Sequence, residues 1–297
     1  MKALLLLLWL GCAAVPQLLA TGSSSSLTLE GILGLPGQPR AILSLPASHP
    51  GPARDVILGP GQREGDIEVL RIEPLAGKVQ ARVYPNSQTV ILSFKTQTNG
   101  LPASVPCLVL DGARLEPVLR FYSLLSGRTL LRWPRLPNVA VNLSCSATNQ
   151  AELTLRLEQA LRDQQIASIP DGKKFLMVVP ASEAATVRPR SADFKPGAAV
   201  GGSTESLPAG VITFIGADLN QVAPIYASLM GRRLEDNNSV GRVAAPFNLQ
   251  TQTSLTKDEC LYALDTLLGW QRYKIIPVGD DLARLVSILK PGVDAGR

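Results

Sequence analysis

The chain has 297 residues, enough for two or three small domains with cores of their own. Apolar residues make up 45% and charged residues 18%, and the net charge is +5 with a pI of about 9.1. The basic residues are scattered, without a dense Lys/Arg block, so the positive balance does not imply a nucleic-acid partner.

Residues 1–20 have the build of a signal peptide. Met1-Lys2 is a short basic start, Ala3 to Leu10 is apolar, and Val15 to Ala20 is a cleavage region. The spacing predicts export. Cleavage after Ala20 is favoured over retention, because the apolar run is short for a membrane span. Cys12 belongs to this leader. Residues 21–26, Thr-Gly-Ser-Ser-Ser-Ser, form a flexible tether.

Residues 27–95 read as a small all-β domain. Ile67-x-Val69, Val79-x-Ala81-x-Val83 and Val90-x-Leu92-x-Phe94 alternate at strand period. Pro74 to Gly77 and Tyr84 to Ser87 carry turn chemistry between them. Arg40-Ala41-Ile42-Leu43 and Asp55 to Leu58 are two further strands, separated by a loop over Pro46 to Pro52. A five- or six-stranded antiparallel sandwich or half-barrel is expected, followed by a linker over 96–106.

The first α+β unit runs over 107–180. Leu108 to Leu110 is a strand. Leu115, Val118, Leu119, Tyr122 and Leu125 share one face of a helix, and Gly127 stops it. Val139, Val141, Leu143 and Cys145 line one face of the next strand. Asn149 with Glu152 resembles a capping box, opening a helix whose stripe is Leu153, Leu157, Ala160 and Leu161. A hairpin over Ile166 to Val179 turns at Pro170-Asp-Gly172. Residues 181–209, rich in Ala, Pro, Gly and Ser, read as a long mobile linker.

The second unit, 210–290, repeats the first, and 291–297 is a tail. Gly112-Ala113, Leu115, Val118, Tyr122, Leu125 and Gly127-Arg128 recur without a gap as Gly216-Ala217, Leu219, Val222, Tyr226, Leu229 and Gly231-Arg232. After a small indel, Leu157, Leu161, Gln164, Ile169, Pro170 and Gly172 recur as Leu264, Leu268, Gln271, Ile276, Pro277 and Gly279. Asp218 with Gln221 and Thr256 with Glu259 are capping boxes. Pro224 falls inside the first helix, where a kink or a late start is expected. The expected class is α+β, a β-domain followed by two β-α-β-β-α-β-β units whose helices cover one side of a small mixed sheet.

Phe214 to Val222, Tyr226 to Arg232, Asn248 to Glu259 and Ala263 to Leu268 together resemble the periplasmic N-domains of secretins, the outer-membrane channel proteins of type II secretion and type IV pilus systems. Residues 111–180 resemble a degenerate copy. Leu29 to Ile32, Arg40 to Leu43, Gly61 to Ile72 and Gly77 to Ala81 are similar to the homology region of the inner-membrane type II secretion protein that docks on the secretin. The resemblance implies KH-like modules, a periplasmic location, and secretin or other secretion-system subunits as partners, in a homo-oligomer or ring. An uncleaved leader would tether the chain to the inner membrane. No segment for a secretin's barrel follows the second unit, so a pore is not implied. Arg40, Ala41, Ile42 and Leu43 are the candidate docking edge.

Chemistry-bearing residues are sparse. His49, the one histidine, lies between Ser48 and Pro50 in a loop and does not read as catalytic. Ser254-x-x-Lys257 matches a serine-x-x-lysine motif without its companion motifs, and a helix start explains the same residues. Cys107, Cys145 and Cys260 read as buried small hydrophobes, with a Cys107–Cys145 bridge as the alternative. No Cys or His pair has metal-ligand spacing. Tyr122 and Tyr226 read as core tyrosines, and Arg128 and Arg232 as cations that complement helix ends. The chain is therefore expected to be a non-enzymatic assembly component without a cofactor. The rival is a secreted ligand-binding protein or enzyme with a site between domains. A nucleic-acid binder would need a Gly-x-x-Gly loop between helices, which neither unit has.

Overall fold

The computed structural model describes residues 27–47, 54–94, 105–194, 205–235 and 245–288. The expected leader, tether and tail, His49, and the centres of both linkers lie outside them.

The protein is α+β. Its first strands are β1 (Thr28–Gly34), β2 (Arg40–Leu45) and β3 (Arg54–Leu58), then β4 (Arg63–Glu64), β5 (Ile67–Glu73), β6 (Lys78–Val83) and β7 (Gln88–Ser93). The next half holds β8 (Cys107–Arg114), α1 (Leu115–Ser126), β9 (Thr129–Arg132), β10 (Ala140–Ser146), α2 (Gln150–Asp163), β11 (Ile166–Asp171) and β12 (Phe175–Pro180). The last half holds β13 (Ser206–Leu207), β14 (Thr213–Ala217), α3 (Leu219–Leu229), β15 (Arg233–Leu234), β16 (Phe247–Gln250), β17 (Leu255–Thr256), α4 (Lys257–Trp270), β18 (Tyr273–Val278) and β19 (Leu282–Ser287).

The N-terminal strands do not close on themselves. β1 pairs antiparallel with β2 on one edge and with β8 on the other, giving a five-stranded sheet in the order β10-β8-β1-β2-β3. The expected boundary at 96–106 therefore separates strands that share one sheet. Alternation explains why both faces are filled. Ile32, Ala41 and Leu43 point toward the β4-β5-β6-β7 sheet, whereas Leu33 and Ile42 join the cluster under α1 and α2. Arg114 fastens the junction. Its guanidinium donates to Ser44 Oγ at 2.7 Å and to Asp55, and lies 3.4 Å from Glu30.

Neither half forms the one mixed sheet that was expected: the earlier divides its strands between two sheets and the last among three. β8 pairs with β10, while β9 runs parallel to β12 beside β11. Pro134 and Pro137 lie between β9 and β10 and offer no backbone donor, so the chain leaves one sheet before entering the other. The last half has the same pairings: β14 with β16, and β15 parallel to β19 beside β18.

Both β8 and β14 carry one extra residue against their partner strand. Register shifts between Val141 and Leu143, and between Ile215 and Ala217. The extra residue is a glycine at positive φ, Gly112 at 64° and Gly216 at 67°. A left-handed residue in a bulge suits glycine, which has no Cβ to clash.

Helix starts follow the capping residues. Asp218 and Thr256 each make a full capping box, with Gln221 and Glu259. Asn149 accepts from Glu152 N, but the Glu152 carboxylate turns to Thr148 instead of Asn149. The late start expected from Pro224 does not occur, because the Asp218 box begins α3 at Leu219. Pro224 is exposed, and the carbonyl it deprives belongs to exposed Asn220, where water can replace the lost donor.

Residues 181–194 are packed, in contrast to the mobile linker expected there. Val187 is buried in the core, and the Phe194 ring lies 5.2 Å from that of Tyr262. One cluster then joins the halves, with Leu131, Phe175, Met177 and Val179 meeting Tyr262 and the rest of α4. The β11-β12-β9 sheet is covered by its own helices on one face and by the last half on the other.

Candidate functional site

The strand expected to dock a partner is not an edge. β2, which holds Arg40, Ala41, Ile42 and Leu43, is paired with β1 on one side and β3 on the other. Ala41, Ile42 and Leu43 are completely buried. Arg40 donates to Gln62 at 2.8 Å. An interior strand has no row of free amides to offer.

The contact between the halves is the most polar part of the core. Asp171, at the end of β11, is buried and accepts the Tyr262 phenol proton and, at 2.9 Å, Ser191 N–H. Burial, then the bond to Asp171, push the Tyr262 phenol well above its usual range. Phe175 meets the same ring at 5.3 Å in a tilted arrangement, and Trp133 meets Trp270 at 5.2 Å. At the rim, Lys174 reaches Glu259 at 2.7 Å and the Ser254 carbonyl at 3.0 Å. Gln252 N–H donates to Thr129 Oγ1 at 3.1 Å.

Beside this contact lies a cleft of about 40 Å³, with Glu116, Arg120 and Arg132 on one wall and Phe214, Ile215 and Asn248 on the other. Glu116 pairs with Arg132 and, at 3.6 Å, with Arg120. Pockets for small ligands run to about 300–1,000 Å³, so this cleft has room for water and little else. A larger hollow of about 450 Å³ is walled by Leu35, Pro36, Pro39, Pro74 and Val105. Its charged residues, Arg71 and Glu73, pair with each other at 3.1 Å.

The remaining sequence candidates fall apart as chemical sets. Lys257 pairs with Glu205 at 2.5 Å, and the Ser254 carbonyl accepts from Lys174. All three described cysteines are free thiols. Cys107 faces Ser146 and Cys145 faces Leu108, which puts the two thiols on opposite faces of the sheet and rules out their bridge. Burial pushes the Cys260 thiol up to about 11, which makes it a poor nucleophile. Among the described residues no group of three or more His, Cys, Asp or Glu could hold a metal ion.

Tyr122 is fully buried and donates to Glu158 at 2.6 Å. Burial, followed by the charge of Asp265, raises the phenol of Tyr226. Arg232 follows the end of α3. It donates to the carbonyls of Gly279 at 2.6 Å and Leu282 at 3.2 Å, tying the β18–β19 turn down.

Asp171 was visible in the sequence only as turn chemistry. A stronger signal lay in the aligned halves, where it stands opposite Val278: a carboxylate facing a valine marks a site particular to one half. A second such difference concerns β14. Val211 is 56% and Ile215 68% exposed, at positions aligned with Cys107 and Asp111. No helix among the described residues is long and apolar enough to cross a membrane. Comparison with protein-family models, curated proteins and solved structures found no match for this chain.

Proposed function

We propose that this chain is a non-enzymatic periplasmic component of a type II secretion-like or type IV pilus-like envelope machine, built to assemble and not to catalyse. Its two halves are copies of one KH-like module of the secretin N-domain kind. Its first strands belong to a domain of the kind found in the inner-membrane protein that docks on the secretin. Its partners are the secretin or other secretion-system subunits, engaged as a homo-oligomer or ring.

The observation that carries this reading is the recurrent bulge. Gly112 N–H donates to Asn142 Oδ1 at 2.7 Å, and Gly216 N–H to Asn248 Oδ1 at 2.9 Å. The same irregularity, glycine and side-chain acceptor at aligned positions support descent from one duplicated unit. Tyr122 donates to Glu158, and at the aligned positions the charge of Asp265 acts on the Tyr226 phenol. A unit used twice and bonded to its copy through a buried interface is the build of an assembly protein.

Cross-linking the full chain in intact cells, followed by mass spectrometry of captured proteins, tests this. Secretin and inner-membrane secretion proteins are the expected partners. Capture of cytoplasmic proteins alone, or co-purification with nucleic acid or a metabolite, overturns it.

A further inference from the structure

The two halves differ in what lies on the strand that precedes the first helix. In the earlier half, β8 takes β10 on one edge and β1 on the other, with Gly31, Ile32, Leu33 and Gly34 facing Leu110, Val109, Leu108 and Cys107. In the later half, β14 pairs with β16 alone among the described residues. Thr251 N–H donates to the Ile212 carbonyl, so Ile212 and Phe214 address β16. By strand alternation, the amides of Thr213 and Ile215 address the other edge.

The side chains agree with the backbone. Where the N-terminal strands cover the earlier half, Cys107, Val109 and Phe121 are buried. Their aligned positions in the later half are Val211, Thr213 and Ile225, which are exposed, Val211 to 56% and Ile225 to 37%. With Ile215 at 68%, large apolar side chains are exposed along β14 and on the helix that follows it. Single exposed apolar residues need no explanation, but a cluster along an open edge does.

We infer that the outer edge of β14 is an acceptor for an antiparallel strand from a different protein, seated as β1 sits on β8. The occupant is an extended, uncharged segment with apolar side chains on both faces and a small residue where Gly31 and Gly34 lie close to their neighbours. One face would cover Ile225 of α3 and the other would extend over Val211 and Ile215. Main-chain bonds to Thr213 and Ile215 supply affinity, and the apolar row sets the register. The chain's own β1 cannot serve, because both of its edges are already taken by β2 and β8.

This deepens the assembly reading and rests on it only for the existence of a partner. The probe is a synthetic peptide with the sequence of residues 27–35 carrying Glu30→Thr, so that the strand itself is uncharged, flanked by lysines for solubility and added to the full chain. Hydrogen–deuterium exchange should slow at least tenfold at Thr213 and Ile215 while β8 is unchanged. Ile215→Lys should weaken peptide binding at least tenfold, and Leu155→Lys, a change at another exposed apolar residue, should leave it unaltered. Peptide binding without protection of these amides, equal binding by Ile215→Lys, or no binding at millimolar peptide overturns the inference. So does concentration-dependent protection without peptide, which would assign the edge to a second copy. Envelope cross-links that persist when the peptide fails would remove this edge and leave the proposed function standing.

Discussion

The carboxylate of Asp171 and the phenol of Tyr262 meet across the contact between the two halves, both buried. A buried acceptor that loses its donor keeps its desolvation cost. Tyr262→Phe should therefore lower stability by about 1–3 kcal/mol. The nearby Lys174–Glu259 pair is about one-third exposed on each side, so Lys174→Ala should cost less than about 1 kcal/mol. Urea unfolding of both variants beside the parent checks the order. An equal effect would mean that Asp171 is solvated or otherwise bonded.

Three phenols share one pH signature. Tyr122, Tyr226 and Tyr262 are all raised above their usual range, first by burial and then by Glu158, Asp265 and Asp171 respectively. A phenol whose folded pKa exceeds its unfolded value holds its proton more tightly in the native state. Its contribution is complete below the unfolded value of about 10 and is lost as pH rises toward the folded one. Stability should be flat with respect to these groups up to about pH 9. It should then fall by about 1.4 kcal/mol per pH unit for each phenol. Denaturant midpoints from pH 8 to 11, with phenolate absorbance as the parallel signal, measure it. Phenolate from more than two of the chain's five tyrosines at pH 10 without unfolding would contradict the burial.

Local signals in this sequence were readable where one residue's chemistry decides the outcome. Asp218 and Thr256 begin α3 and α4 because an acceptor and its partner three residues on satisfy the open amides. What alternation cannot convey is a strand's neighbour. Arg40 to Leu43 shows period two whether its edges are free or filled, and only the tertiary fold puts β1 and β3 beside it. Residues 181–194 depart from expectation for a related reason. Their Ala-rich composition suits a linker, yet Val187 is buried in the core and Phe194 packs on Tyr262. The guanidinium of Arg232 bonds the Gly279 and Leu282 carbonyls, partners far along the chain that no local pattern announces.

The interior position of β2 makes its apolar residues structural. Ile42 is fully buried in the cluster beneath α1. Ile42→Ala should cost about 2–5 kcal/mol, the range for truncating a packed core side chain. Because β1 and β8 share that sheet, the loss should extend to the first half as well as the N-terminal strands. Hydrogen exchange of β8 and β10 amides would reveal it as faster opening. A variant that keeps full stability but loses a binding partner would instead restore this strand as a docking surface.

The paired bulges predict parallel responses at two distant places. Asn142→Ala and Asn248→Ala each remove one side-chain acceptor from a glycine N–H and should each cost about 1 kcal/mol. The two bonds lie in different sheets, so the double variant should show the sum within about 0.5 kcal/mol. Gly112→Ala and Gly216→Ala meet no neighbouring atom at the added Cβ, so their cost should be the left-handed backbone alone, about 1–2 kcal/mol. Four single variants and one double, compared by thermal and urea unfolding, decide the matter. Matching losses at Gly112 and Gly216 are expected of one bulge used twice. A large loss at one and none at the other would mean that the two turns are only superficially alike.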